Sequence, residues 1–259
     1  MSPKEWNGVK ENKYDDPMFF AKYAQMDRSR LGLRGAGEWR TLEPMLPDFA
    51  GRDVLDLGCG YGWHCAYAAE HGARSVLGLD LSERMLAVAR RDHAAPMIEY
   101  RQGAMEDADF ADGSFDVVLS SLAFHYVADF GALVRNIARW LRPGGDFVFS
   151  CEHPVFTAEG SQDWYRDENG SILHFPVDNY YIEGERKAVF LGERVTKYHR
   201  TLTSYVGTLL SNGFALTGLA EPQPPQEMVD TIPGMADELR RPMMLILAAK
   251  KTIEKEPVI

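Results

Sequence analysis

Between Val54 and Ser82 the chain reads VLDLGCGYGWHCAYAAEHGARSVLGLDLS. An apolar run too short for a helix meets Gly58, Gly60 and Gly62, passes into a helical stretch, and returns to a second apolar run ending on Asp80. This order admits few folds. A short apolar run delivered straight into glycines and a helix is a buried strand with a tight turn at its end. A second strand reached through a helix lies parallel to the first, because the crossover returns the chain to its starting side.

The same rhythm continues. LSERMLAVARRDHA is a helix, with Ser82 placed to cap it and Pro96 just beyond its end. MIEYRQG and SFDVVLSS are the third and fourth strands, FGALVRNIARWLRPGG is a helix closed by a Pro-Gly-Gly turn, and DFVFSCE is the fifth strand. Further on, TLTSYVGTLLSNG is a helix stopped at Gly213, and FALTGLAE and RPMMLILAAKK are two final strands. The pattern predicts an α/β fold, a doubly wound Rossmann-like sheet of seven strands with helices on both faces, carried by residues 46–152 and 200–252. Residues 1–45 form an N-terminal helical cover, in which DDPMFFAKYAQMDRSR is one helix with Phe19, Tyr23, Met26 and Arg30 near one face. Residues 153–199 break the rhythm and read as an inserted lid of loops, with a hairpin around NYYIEGERKAVFLG. PQPPQEMVDTIPGMADELR reads as a polar bridge over the surface.

Composition narrows the partners. A chain of 259 residues, 45% hydrophobic and 25% charged, fits one soluble α/β domain with an appended cap. A formal charge of -10 makes nucleic acid an unexpected partner, since phosphate binding needs a basic surface. Cys59, Cys65 and Cys151 include no CxxC pair, so neither a disulfide framework nor a metal site is expected, and a cytoplasmic location is. MSPKEWNGVKENKYDDP has no apolar signal core and MMLILAA is too short to span a bilayer, so no membrane insertion is expected.

The turn and its acids point to a ligand. Gly58, Gly60 and Gly62 make GxGxG, whereas the dinucleotide fingerprint needs a glycine at 63, where this chain has Trp63. A bulky Trp there argues against a pyrophosphate and so against a nicotinamide-dependent oxidoreductase. Asp56 enters the same turn, and Asp80 ends the second strand, where a carboxylate can accept both ribose hydroxyls. The alternative for Asp80 is a cap on the following helix. A ligand with a ribose, no phosphate and a cationic end suits two acids without a basic partner, and S-adenosylmethionine meets that description.

At these residues the sequence resembles the class I S-adenosylmethionine-dependent methyltransferases, closest to the small-molecule, ubiquinone-biosynthesis-like branch (methyltransferase type 11). VLDLGCGYG, LGLDLSERML, ADGSFDVVLSSLAFHYV and LRPGGDFVFS follow the family's motifs in order across residues 14–150. The resemblance implies a last strand inserted antiparallel beside the fifth, and methyl transfer to an O, N or C atom of a small-molecule acceptor. It implies that Asp56 lies near the cofactor's methionine end, that Gly58, Cys59 and Gly60 pass beneath it, that Asp80 holds the ribose and that Leu81 packs on adenine. Ser121 and Leu122 would line the methionine side. Many relatives carry an aspartate after the glycine that follows the third strand; here Ala104 stands there, so adenine recognition falls to Ala104, the Met105 backbone and Glu106 or Asp107. The helical cover makes Tyr14 and Tyr23 further candidate contacts.

Two histidines are the catalytic candidates. His125, in LAFHYV, borders the methyl group by resemblance, and His153, in CEHPVF, directly follows the fifth strand. His153 is the candidate for orienting or deprotonating the acceptor, against the alternative of a hydrogen-bonded loop histidine. His199 and Arg200 open the next helix toward the same mouth. Trp164, Tyr165, Phe175, Tyr180, Tyr181 and Phe190 supply an acceptor pocket, a core for the insert, or a homodimer surface. The rival to an enzyme is a non-catalytic S-adenosylmethionine-binding regulator or partner subunit.

Overall fold

The computed structural model describes Lys10 and residues 12–253; residues 1–9, Glu11 and 254–259 lie outside it, and with them the outer part of the expected N-terminal cover. The chain begins with short helices α1 (Pro17–Tyr23), α2 (Asp27–Arg30) and α3 (Trp39–Leu42). Strand β1 (Asp53–Leu57) then leads through the glycine turn into α4 (Trp63–Glu70), followed by β2 (Ser75–Asp80), α5 (Glu83–Asp92), β3 (Ile98–Gln102), β4 (Phe115–Ser121), α6 (Phe130–Trp140) and β5 (Leu141–Glu152). The insert holds α7 (Pro154–Ala158) and two antiparallel hairpins, β6 (Tyr165–Arg166) with β7 (Ile172–His174), and β8 (Gly184–Phe190) with β9 (Glu193–His199). Helix α8 (Leu202–Ser211), β10 (Phe214–Ala220), α9 (Gln226–Thr231) and β11 (Met244–Lys251) complete the chain.

Local chemistry sets the helix starts. Side chains of Asp16, Ser82, Asp129 and Thr201 accept backbone N–H bonds in the first turns of α1, α5, α6 and α8. Helix α6 buries Phe130, Leu133, Val134, Ile137 and Trp140, the i, i+3, i+4, i+7 stripe of a helix laid on a sheet.

Seven strands form one sheet in the order β10-β11-β5-β4-β1-β2-β3. Strands β1 to β5 are mutually parallel, and β11 is antiparallel to both β5 and β10, as the resemblance implied. Alternation along the central strands makes two cores. Leu55, Val118, Phe147, Phe149, Leu245 and Leu247 face α6 and α8, whereas Val54, Val117, Val148 and Ile246 face Cys65, Leu86 and Trp39. Strand order reverses between β1 and β4, so a crevice opens at their carboxyl ends.

Three expectations change. The N-terminal stretch is not one helix: α1 stops at Tyr23 and the backbone at Met26 is extended before α2 begins. That break turns Tyr23, Met26 and Arg28 together into the crevice. The Pro-Gly-Gly segment does not follow α6 as a separate turn; pairing with β4 starts at Leu141 and bulges before Asp146, so the segment lies within β5. The bridge before β11 is not a plain surface loop, since it folds into α9 and a 3-10 helix, Met235–Arg240, that wall a second cavity. No helix among the described residues is long and apolar enough to cross a membrane.

Candidate active site

The crevice deepens into a cavity of about 300 Å³. Its floor is the turn after β1. Gly58 and Cys59 donate N–H bonds to the Leu79 carbonyl at 2.8 and 3.1 Å, which ties the turn to the end of β2. Gly58 has φ of +75°, and a Cβ there would come within 2.6 Å of Ala123. The glycine is therefore required both by backbone conformation and by the close approach of the β4 loop.

Asp80 stands at the mouth of this turn. One carboxylate oxygen accepts the Gly60 N–H and the other the Ser82 N–H, each at 2.8 Å, and the side chain lines the cavity. Burial pushes its pKa up to about 6 against the pull of those N–H bonds. Leu81, Ala104, Met105 and Glu106 form the adjoining wall, whereas Asp107 turns aside to pair with Lys10.

Asp56 lies beneath the turn rather than in the cavity wall. It is 1% exposed, accepts from the Cys65 thiol at 3.4 Å, and is pushed up to about 7 by burial. Its Oδ1 has no hydrogen-bond partner in the structure.

The opposite wall comes from β4, β5 and the insert. Ser121, Leu122 and His125 line the cavity, with Leu122 held at φ +51° and its N–H bonded to the Ser150 carbonyl. Burial lowers the His125 pKa to about 4, so its ring is neutral at pH 7. Beside it, Glu152 accepts from Lys197 at 2.5 Å and from Gln162 at 2.7 Å, and His125 Nε2 lies 4.0 Å from the same carboxylate. Burial opposes the Glu152 charge, but the Lys197 ammonium, with the Gln162 N–H, overrides it and holds the carboxyl below its ordinary value. Lys197 also donates to Gln162 Oε1 at 2.9 Å and sits over the Phe190 ring.

The roof is the N-terminal segment plus the β8–β9 hairpin. Phe19 packs on Ala188 and Val195 of the hairpin, with Tyr14, Tyr126 and Phe190 around them. Tyr14, Tyr23 and Arg28 line the cavity from above. Arg28 pairs with buried Glu38 at 2.8 Å, and Glu38 also accepts from Ser121 at 3.3 Å. Trp63, at the position that excluded the dinucleotide fingerprint, anchors this segment: a Cβ on Gly32 would lie 2.7 Å from its ring.

Of the residues singled out in the sequence, the cavity thus gathers Tyr14, Tyr23, Met26, Gly58, Cys59, Gly60, Trp63, Asp80, Leu81, Ala104, Met105, Glu106, Ser121, Leu122 and His125, and of the six insert aromatics it gathers Phe190 but not Trp164, Tyr165, Phe175, Tyr180 or Tyr181. It does not gather His153. That ring accepts the Val155 N–H at 3.0 Å as the cap of α7, and its Nε2 lies 2.9 Å from Glu221. His199 is bonded to Thr157 of α7 and to the Tyr180 carbonyl and so braces the insert, whereas Arg200 donates to the carbonyls of Phe124, Val127 and Ala128 and braces the loop after β4. Sequence reasoning missed Arg28, Glu38, Glu152 and Lys197. For two of them a signal existed: Glu152 is the last residue of β5, and Val195, Lys197 and His199 alternate as the buried face of β9.

Comparison with known proteins agrees with this geometry. Residues 55–149 match a family model described as a methyltransferase domain. A Listeria monocytogenes crystal structure described as an S-adenosylmethionine-dependent methyltransferase is 55% identical, with a TM-score of 0.82, covering 86% of this chain and 100% of that one. One from Mesorhizobium loti is 43% identical, with a TM-score of 0.78, covering 85% of this chain and all of that one. A malonyl-[acyl-carrier protein] O-methyltransferase from Pectobacterium atrosepticum is 36% identical over 140 residues, 54% of this chain and 53% of that protein. The match thus spans about half of that enzyme's length.

Proposed function

Because this chain belongs to the family of S-adenosylmethionine-dependent methyltransferases, enzymes that draw a methyl group from that cofactor, we propose that the cavity at the carboxyl edge of its sheet holds the cofactor along β1 and β2 and a small-molecule acceptor beneath the hairpin. The observation that carries this reading is Asp80. Each of its oxygens spends one lone pair on a turn N–H and keeps capacity for a ribose hydroxyl. The glycine turn fits beneath a thioether-linked nucleoside, and Leu81 with Met105 fits an adenine. Arg28 is a cation for the carboxylate at the methionine end. Residues 46–152 and 200–252 serve as the cofactor-binding domain, and the β8–β9 hairpin with the N-terminal segment as its lid.

Bound there, S-adenosylmethionine supplies a methyl group on a sulfonium centre that is already a good leaving group. The protein's task is then alignment and exclusion of water. Lys197 gives two N–H bonds to Glu152 and Gln162 and has a third for an acceptor oxygen. His125 Nδ1 accepts the Glu152 N–H at 3.4 Å, which assigns the ring proton to Nε2, facing the Glu152 carboxylate. His125 in this tautomer orients Glu152 rather than drawing a proton from the acceptor. An acceptor oxygen that is already ionised, a carboxylate, needs no base and suits Lys197. The O-methyltransferase relative supports oxygen as the accepting atom.

Titration calorimetry with S-adenosylhomocysteine, followed by a mass-spectrometric screen of carboxylates for methyl esters, tests the reading. Lys197→Met should keep S-adenosylhomocysteine affinity and lose turnover. It should also cost about 3–5 kcal/mol of stability, because Glu152 is left buried without its cation. Unchanged turnover would remove Lys197 from the acceptor end.

A further inference from the structure

Behind the acceptor end lies a second chamber of about 470 Å³, walled on one side by residues 26–38 and on the other by residues 222–244. We propose that it takes the unbranched aliphatic tail of the methyl acceptor; the proposal rests on the methyltransferase reading above and deepens it.

Continuity is the first argument. Met26, Arg28, Ala36, Met243 and Met244 line both chambers, so the two share one wall. Met244 stands opposite Glu152 in the β5–β11 ladder, which puts that wall beside the Glu152–Lys197 cluster. A substrate whose reacting oxygen sits at Lys197 has its remainder pointing at the shared wall.

The lining is the second argument. Met228, Met235 and Ile232 join Met26, Met243 and Met244 around the chamber. Methionine is unbranched and polarizable, and it re-packs around flexible apolar ligands at little cost. Of the charged residues in the wall, Arg28 pairs with Glu38 at 2.8 Å and Glu238 with the neighbouring Arg241 at 2.7 Å, and Asp27 lies beside them. An alkyl chain entering here leaves both pairs in place. The volume lies within the range of ordinary small-ligand sites.

The test is a homologous series. The protein saturated with S-adenosylhomocysteine is titrated calorimetrically with n-alkanoates from acetate to tetradecanoate, and with the matching n-alkanols. Each added methylene should tighten binding about fourfold until the chamber is full, with the same slope in both series, because the chamber reads only the chain. Gly37 lines the second chamber but not the first, has no left-handed backbone constraint, and a Cβ there would meet Met228 Sδ at an ordinary 3.9 Å. Gly37→Leu should therefore abolish the chain-length dependence and leave S-adenosylhomocysteine affinity intact. Met228→Ala should instead move the optimum to longer chains, which keeps the test open should the leucine variant fold poorly. No chain-length dependence in the parent protein, or the same dependence in Gly37→Leu, overturns the proposal. Failure of S-adenosylhomocysteine itself to bind would instead overturn the cofactor assignment, so the two failures are told apart.

Discussion

Asp80 and His153 show how far one residue's place decides its chemistry. Asp80 ends β2 with two N–H bonds and an open side toward the cavity. Asp80→Asn keeps the shape but removes the charge and the double acceptor. Calorimetry at pH 8 should show S-adenosylhomocysteine binding weaker by about 1.5–3 kcal/mol, the worth of hydrogen bonds to a charged group; equal affinity would exclude Asp80 as the ribose holder. His153 illustrates the limit of reading along a strand. It follows β5 at the correct edge, but side chains alternate, and Glu152 rather than His153 takes the inward parity. A one-residue register lies below the resolution of an apolar pattern, because the strand's polar end carries no alternation to fix it. His153→Asn, which preserves a cap for α7, should leave the single-turnover rate unchanged. A large rate loss in that variant would return His153 to the reacting centre.

At the scale of elements, the parallel strands and their helices were legible because each is a run of apolar residues with a cap or glycine at its end, and β1 to β5 fall where those runs lie. The roof was not legible. Its elements are short, and their apolar residues face one another rather than a sheet: Phe19 from α1 meets Ala188 from β8 and Val195 from β9. No local period announces such a contact. Arg28 and Glu38 were likewise hidden, since their pairing depends on the break between α1 and α2 and on Gly32 fitting against Trp63. The roof's dependence on one cluster makes it testable. Phe19 is fully buried, and Phe19→Ala should cost about 3–5 kcal/mol locally. Amide exchange in β8 and β9 should accelerate and S-adenosylhomocysteine should dissociate faster, while amides of β1, β4 and β5 keep their protection. Uniform acceleration across the sheet would mean that the roof and the sheet open together, against a separate lid.

For the whole molecule, the cavity's burial sets two pH responses of opposite sign. His64 and His125 are lowered to about 4 by burial. The unfolded chain protonates them below pH ~6.5 and the folded chain resists, so their contribution to stability is complete above that pH and is lost as pH falls toward 4. Asp56 and Asp80 are raised by burial to about 7 and about 6. The folded chain takes up these protons before the unfolded chain does, so their contribution is lost as pH rises from about 4 through 7. In the free protein the two pairs offset each other between pH 7 and 5, and denaturant unfolding should show only a shallow decline across that span. The cofactor changes the balance, because a ribose diol needs Asp80 ionised. Binding must then expel a proton below pH 6, and the stabilisation that saturating S-adenosylhomocysteine confers at fixed concentration should shrink by up to about 1.4 kcal/mol per pH unit there. In Asp80→Asn that increment should be smaller at pH 8 and flatter from pH 8 to 5. The measurement is urea unfolding with and without S-adenosylhomocysteine at each pH, for both proteins. If the parent's increment stays constant through pH 6, the proton-linked group at the ligand is not Asp80, and the ribose is held elsewhere along the cavity.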